Sequence, residues 1–482
     1  MKMLINSRWV DAGDGKTRPV RNPGTGEVLD SVPVASLGDV AAALEAAREG
    51  AARMRAAPAH RRSEILTKAA AEIAARGEEL ATLLARENGK PIRQTRDEVA
   101  VTARIFRGFA EEGRRIFGRT VPMDAVPGME RHFAVTIRQP LGVVAAIIPF
   151  NYPVELYAHK AAAALAAGNA VIAKPPSDCP LALLAVAAIL EDAGMPRGAH
   201  QMITGPGELI GEALAKSPIV RLVSVTGSTA VGKRLARLGA DSLQKVHLEL
   251  GGNDATIVCA DADLEKAAEA IVLGRLARGN GQICCAVKRV FVAEEVFDQF
   301  AARLAEKAAR LHVGDQLLDA TDVGPLITED AARRVEEAVR EAVGAGARLL
   351  FGGTRRGAFM APTVLADVPV ETPLFREETF GPVAPLVRFR SDDEAVRMAN
   401  DSTFGLQAAV FTKDISRALD IAHRLEVGGV IVNWSSALRA ENLPFGGTKA
   451  SGYGREGLHD TIMEMTEQKV ILFHDALRGL AP

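Results

Sequence analysis

Between Gly142 and Leu250 the apolar positions follow two rhythms that alternate. Val143–Ile148, Ala170–Ala173, His200–Ile203, Val220–Val225 and Val246–Leu250 are short, nearly all apolar runs and predict strands. Val154–Ala167, Pro180–Ala193, Glu208–Ala215 and Thr229–Leu238 lie between them with helical spacing. Gly168-Asn169, Gly194 and Gly239 punctuate three of these helices. Strands this apolar have no face to give to water. Their alternation with helices therefore predicts a parallel sheet covered on both sides, the doubly wound α/β architecture that binds dinucleotides at its strand carboxyl ends.

A second α/β series follows. Asp254–Val258, Arg289–Val292, Val383–Val387, Ala408–Phe411 and Val430–Val432 read as strands with helices between them, so a domain boundary is placed near Leu250-Gly251-Gly252. Upstream, Asp39–Arg55, Pro58–Asn88 and Arg93–Phe117 carry helical spacing after a short strand region. Phe133, Val135 and Ile137 alternate as in a strand. Lys469–Phe473 reads as a lone strand, far in sequence from either series. It needs a partner, which another subunit can supply.

The chain has 482 residues, 48% hydrophobic and 24% charged, and a net charge of −2. That balance excludes a polybasic nucleic-acid or membrane footprint as its main feature. The apolar runs Leu141–Phe150 and Leu181–Leu190 are about ten residues each, against roughly 18 for a membrane span. The first residues lack the apolar stretch of a signal peptide, so a cytoplasmic protein with no membrane or nucleic-acid partner is expected. Cys179, Cys259, Cys284 and Cys285 are too few for a disulfide framework, and none has zinc-ligand spacing; no metal is expected.

Six short motifs carry candidate chemistry. In Asn280-Gly281-Gln282-Ile283-Cys284-Cys285 the glycine permits a sharp turn before a thiol, and a thiolate attacks carbonyl carbon well; two core cysteines at a helix start would read the same. Glu249 ends an apolar strand in Glu249-Leu250-Gly251-Gly252-Asn253. Partial desolvation there suits a general base, although a salt-bridged strand end is the plainer reading. Asn151 in Pro149-Phe150-Asn151-Tyr152-Pro153 can donate to an oxyanion, or simply make a turn. Thr226-Gly227-Ser228-Thr229-Ala230-Val231-Gly232 joins strand to helix, where Ser228 can cap a phosphate-attracting N-terminus. It is not the usual GxGxxG fingerprint. Lys174 in Lys174-Pro175-Pro176-Ser177 can reach a cofactor hydroxyl or phosphate, and Glu378-Thr379-Phe380-Gly381-Pro382 offers a carboxylate and a ring before a strand.

Together, in this order and spacing, these motifs resemble the aldehyde dehydrogenase superfamily over essentially the whole chain. The resemblance implies a Rossmann-like cofactor domain (1–120 and 140–250), a second α/β catalytic domain (251–440) and a bridging β-arm (121–139 and 460–482). Arm strands near Val135–Arg138 and Lys469–Phe473 would pair across a homodimer or homotetramer. It implies Cys284 as nucleophile, Asn151 with the Cys284 backbone N–H as oxyanion donors, and Glu249 as the base that hydrolyses the thioester. Glu249 favours hydrolysis over transfer to coenzyme A, the route of an acylating semialdehyde dehydrogenase; a catalytically idle binding protein on the same fold is the remaining alternative.

Glu378 and Phe380 would meet the nicotinamide riboside, Gly227, Ser228 and Gly232 the pyrophosphate, and Lys174 the adenosine ribose. Many NAD-specific members carry Glu where this chain has Ser177, so NADP is expected alongside or ahead of NAD. Arg107, Tyr152 and Arg439 match substrate positions of the non-phosphorylating glyceraldehyde-3-phosphate, lactaldehyde and phosphonoacetaldehyde branch. That branch's phosphate-handling members carry Arg where this chain has Ile283, so a small anionic or hydroxylated aldehyde is expected rather than a phosphorylated triose. His159 is expected to pack within its helix, with the pocket mouth as its other possible place.

Overall fold

A computed structural model describes residues 1–477. Two large sheets organise the chain. The first runs Arg8–Val10, Met3–Ile5, His200–Met202, Ala170–Lys174, Val143–Ile147, Val220–Thr226, Lys245–Glu249, Gly452–Tyr453. The five central strands are parallel, and their order reverses between Val143–Ile147 and Val220–Thr226. Both faces are covered: one packs against helices Ala59–Ala75, Ile92–Glu112, Pro153–Ala167 and Leu181–Asp192, the other against Leu37–Ala56 and Gly207–Lys216. Ligands collect outside the strand carboxyl ends at such a reversal. The expected strands and helices of this region are present, with ends shifted by a residue or two.

The second sheet runs Arg348–Phe351, Thr363–Ala366, Val383–Phe389, Arg289–Ala293, Ala255–Val258, Gln407–Phe411, Gly429–Val432, and is parallel except at its first pair. Arg348–Phe351 and Thr363–Ala366 are two strands beyond those expected from the sequence, the first an edge strand with Arg348 and Leu349 exposed. The expected helix Pro58–Asn88 is two helices, Ala59–Ala75 and Gly77–Asn88, meeting at Arg76. Gly77 follows that break, and a glycine weakens a helix interior.

Thr466–Phe473 has its partner within the chain. It pairs antiparallel with Phe133–Pro140 over eight residues, and Arg119–Val121 closes the other side. Thr466–Phe473 therefore forms one outer edge of this small sheet, with Val470, Leu472 and Phe473 exposed. Residues 478–482 of the expected arm lie outside the described residues. Among the described residues no helix is long and apolar enough to cross a membrane.

Buried acids tie the helical layer to the sheet loops. Glu87, at the end of Gly77–Asn88, accepts from the amides of Leu181 and Ala182 at 2.7 Å each. These are orphan donors at the start of helix Leu181–Asp192. Glu87→Ala leaves both unpaired in the interior, and each buried orphan costs about 1–3 kcal/mol. The denaturant midpoint of Glu87→Ala is expected to fall accordingly, with Glu87→Gln losing less; equal midpoints for parent and both variants would refute this role.

Candidate active site

Three loops reach the space beyond the strand carboxyl ends, and each is shaped by its local sequence. After Val143–Ile147 the chain turns through Phe150-Asn151-Tyr152 into helix Pro153–Ala167, where Pro153 takes the first helical position. A buried ion pair, Lys90–Glu98, holds this turn. Lys90 donates to the Asn151 carbonyl at 2.6 Å and lies 3.9 Å over the Tyr152 ring. Glu98 accepts from the Val154 amide at 3.1 Å, capping the helix. The Asn151 side-chain oxygen accepts from the Tyr152 amide at 3.0 Å, which leaves its NH₂ without a protein acceptor among the described residues.

The second loop carries the thiol. The helix Leu264–Ile271 widens into π-helical turns at Val272–Ala277, and the chain then passes through Gly279, Asn280 and Gly281, all at positive φ. Asn280 sustains this left-handed path by hydrogen bonds to the Gly89 and Pro325 carbonyls and the Gly324 amide, at 2.8–3.0 Å. Buried Arg275 donates to the carbonyls of Val383, Gly281 and Thr379. Buried Lys288 donates to the Cys284 carbonyl and pairs with Glu378 at 2.9 Å.

The third loop is Glu249–Asn253. Its glycines let backbone meet backbone: a Cβ at Gly251 would strike Glu378, and one at Gly252 would come within 2.6 Å of the Cys284 carbonyl oxygen. The Gly252 amide donates to Glu378 at 3.0 Å.

These loops enclose a cavity of about 400 Å³. Asn151, Ser177, Gly227, Ser228, Leu250, Gly251, Cys284, Glu378 and Phe380 line it. Phe380 meets Phe150 edge to face at 5.9 Å. At one end Lys174 donates to Ser177 at 3.2 Å; burial pulls the Lys174 pKa down to about 8. Asp178, next to Ser177, is ion-paired with Arg18. Ser228 caps helix Thr229–Gly239. Gly232 does not line the cavity: a side chain there would meet Leu250 at 2.5 Å, so its smallness serves helix–strand packing. Lys174 does not line the cavity but backs Ser177, and the walls suit a dinucleotide: helix amides beside a glycine, a hydroxyl at one end, a ring and carboxylate beside the thiol.

Contact with the Cys285 thiol, then burial, holds the Cys284 thiol well above its ordinary pKa. Glu249 is 3% exposed, and neither carboxyl oxygen has a hydrogen-bond partner among the described residues. Burial, reinforced by Glu456, raises its pKa far above the carboxylate range.

A second cavity, also about 400 Å³, is lined by Tyr152, Glu155, Ala277, Arg278, Ala437 and Leu438 among others. Asn151, next to Tyr152 in the chain, lines the first cavity instead, as does Cys284, six residues after Arg278. Of the three expected substrate residues, only Tyr152 lines the second cavity. Arg107 lies on the exposed face of helix Ile92–Glu112. Arg439 is bound to Glu456 at 2.7 Å and stacks 4.0 Å over Phe445. His159 is buried against Phe109, as a packed helix residue. Arg278, whose guanidinium lies 5.7 Å from the centre of the Tyr152 ring, was missed by sequence reasoning, as were Lys288 and Arg275. The available signal was their position: Arg275, Arg278 and Lys288 all lie within ten residues of Cys284. Among the described residues no cluster of three or more His, Cys, Asp or Glu could hold a metal.

Comparison with known proteins agrees with this geometry. A 3-sulfolactaldehyde dehydrogenase from Priestia aryabhattai is 42% identical over 98% of each chain. The succinate-semialdehyde dehydrogenase [NADP(+)] of Escherichia coli K12 is 40% identical, over 97% of this chain and 96% of that one. The crystal structure of NADP-dependent glyceraldehyde-3-phosphate dehydrogenase from Bacillus halodurans, complexed with NADP, superposes with a TM-score of 0.95 at 37% identity over 98% of each chain. The model of the aldehyde dehydrogenase family matches residues 9–471, and the chain is a member of that family, an aldehyde-oxidising enzyme.

Proposed function

We propose that this enzyme oxidises a small anionic or hydroxylated aldehyde to its carboxylic acid, with NADP or NAD, through a thioester on Cys284. The observation that carries this reading is the shared wall of the first cavity, where Cys284 and Asn151 meet Glu378, Phe380 and the Gly227-Ser228 helix start. Cys284 reacts as the thiolate once its proton has gone to solvent: the sulfur pair forms the C–S bond as the carbonyl π pair moves onto oxygen. The Asn151 NH₂ and the Cys284 amide are the donors for the oxygen that gains charge. A bound nicotinamide supplies the hydride acceptor. Glu249 then takes a proton from water, whose oxygen attacks the thioester carbon; the C–S bond breaks and the acid leaves. The unpaired Glu249 carboxyl supports hydrolysis over acyl transfer to coenzyme A.

Residues 1–120 and 140–250 would form the cofactor-binding unit, 251–440 the catalytic unit, and 121–139 with 460–482 the arm. The open edge of Thr466–Phe473 supports pairing with a second copy as a homodimer or homotetramer. Ser177 beside Lys174, with Asp178 neutralised by Arg18, supports acceptance of a 2′-phosphate. An anionic substrate is supported by Arg278 in the second cavity and by relatives named for sulfolactaldehyde and succinate semialdehyde. Exposed Arg107 and ion-paired Arg439 support it less.

Cys284→Ala is expected to abolish NADPH formation while cofactor still binds; retained turnover would refute the nucleophile. The raised Cys284 thiol favours its protonated form, so kcat/KM is expected to climb as pH rises above 7, and the raised Glu249 carboxyl should make kcat climb with it. A rate that falls over that range would contradict the assignment. Arg278→Gln should raise KM at least tenfold for succinic semialdehyde and leave propanal within twofold, with Arg107→Ala as the indifferent control. Equal effects on both aldehydes would remove the anion role. Ser177→Glu should turn preference toward NAD by tenfold or more, read as the ratio of kcat/KM values.

A further inference from the structure

Glu249 must shed a proton after each hydrolysis, yet it is buried. Four ionisable groups stand around it: Lys160 of helix Pro153–Ala167, Arg439, and Arg455 and Glu456 beyond the edge strand Gly452–Tyr453. Glu456 is a poor recipient. It is buried and ion-paired with Arg439 at 2.7 Å and Lys160 at 3.5 Å, which favour its charged form.

On the other side stands His247, two residues earlier on the same strand and fully buried. Its Nε2 lies 3.6 Å from Glu249 Oε1, and its Nδ1 lies 3.8 Å from Glu464 Oε2. Neither ring nitrogen has a hydrogen-bond partner among the described residues. Burial lowers the ring's pKa, against the pull of Glu464 and Glu456 and with the push of Lys160, so the imidazole is neutral. Glu464 ends helix Leu458–Glu464, and its side chain is 35% exposed. Burial raises its pKa, against the pull of His247, and its Oε1 accepts from the Arg455 amide at 3.2 Å. Gly454, at φ +98°, leaves room for this approach: a Cβ there would lie 2.5 Å from the His247 ring and 2.9 Å from Glu464. A neutral imidazole between two carboxyl groups can take a proton on one nitrogen and release one from the other.

We propose that His247 is a positioning residue for deacylation that passes the Glu249 proton to Glu464 and so to solvent. The O–H bond of Glu249 breaks as an N–H bond forms at Nε2. The Nδ1–H bond breaks, its proton goes to the Glu464 carboxylate and then to water, and tautomer exchange resets the ring. Motion of a few tenths of an ångström, or one bridging water, closes each gap. The inference rests on the dehydrogenase reading above.

The test is rapid-mixing NADPH formation with succinic semialdehyde by the parent enzyme, His247→Gln and Glu464→Gln. Glu464→Gln sits at a partly exposed helix end and keeps the test open should the core variant fold poorly. Both variants are expected to make one NADPH per site at the parental rate within twofold. Steady-state kcat should then fall at least tenfold for His247→Gln and about threefold for Glu464→Gln, with a changed kcat–pH profile and a larger solvent deuterium effect. The inference is overturned if folded variants keep parental kcat and pH profile, or if first-turnover and steady-state rates fall together. A parent enzyme that forms neither NADPH nor NADH from succinic semialdehyde or propanal overturns the proposed reaction instead, and this inference with it.

Discussion

Parallel strands end by leaving backbone groups without ladder partners, and the active-site loops begin where the ladders stop. Every buried donor or acceptor there must find another partner or bear the desolvation cost. This chain meets that constraint with long buried side chains. Lys90 takes the Asn151 carbonyl, Glu98 the Val154 amide, Arg275 three carbonyls of the neighbouring loops, and Lys288 the Cys284 carbonyl. Lys90, Glu98 and Arg275 tie loops to elements distant in sequence, and Lys288 does so through Glu378. Asn151 and Cys284 hang on these ties.

The same economy explains the site's electrostatics. Cations spent on carbonyls and carboxylates are fixed in place and leave few free charges near the reacting atoms. Lys288 is held by Glu378, Arg439 by Glu456 and Arg18 by Asp178. Glu249 is the exception, a buried carboxyl with no hydrogen-bond partner among the described residues. Burial of an unpaired acid favours its protonated form. Arg278 lines the second cavity beside Tyr152.

Much of this was legible beforehand. The alternation from Val143 to Leu250 pointed to a doubly wound sheet, because strands covered on both faces are continuous apolar runs; the strand order came only with the pairing. Most of the motif residues share one cavity, because strand–turn–helix units deliver their loops to the same edge. Arg107 and Arg439 show where local reading stopped. Helical spacing cannot say which face of Ile92–Glu112 looks at the pocket, and no local pattern announced that Glu456 would claim Arg439. The tail strand was recognised as needing a partner, but Phe133–Pro140 supplies it from more than 300 residues away in sequence.

The sequence by itself determined the α/β class, the strand–helix series and the chemistry-bearing turns, since periodicity, glycine placement and residue type are local properties. Only the tertiary structure decided which charges meet. It carried Gly452–Tyr453 back beside Lys245–Glu249, which brings Arg455, Glu456 and Glu464 around Glu249 and His247. Pairing, burial and the resulting proton affinities depend on distances between segments that the chain order does not encode locally.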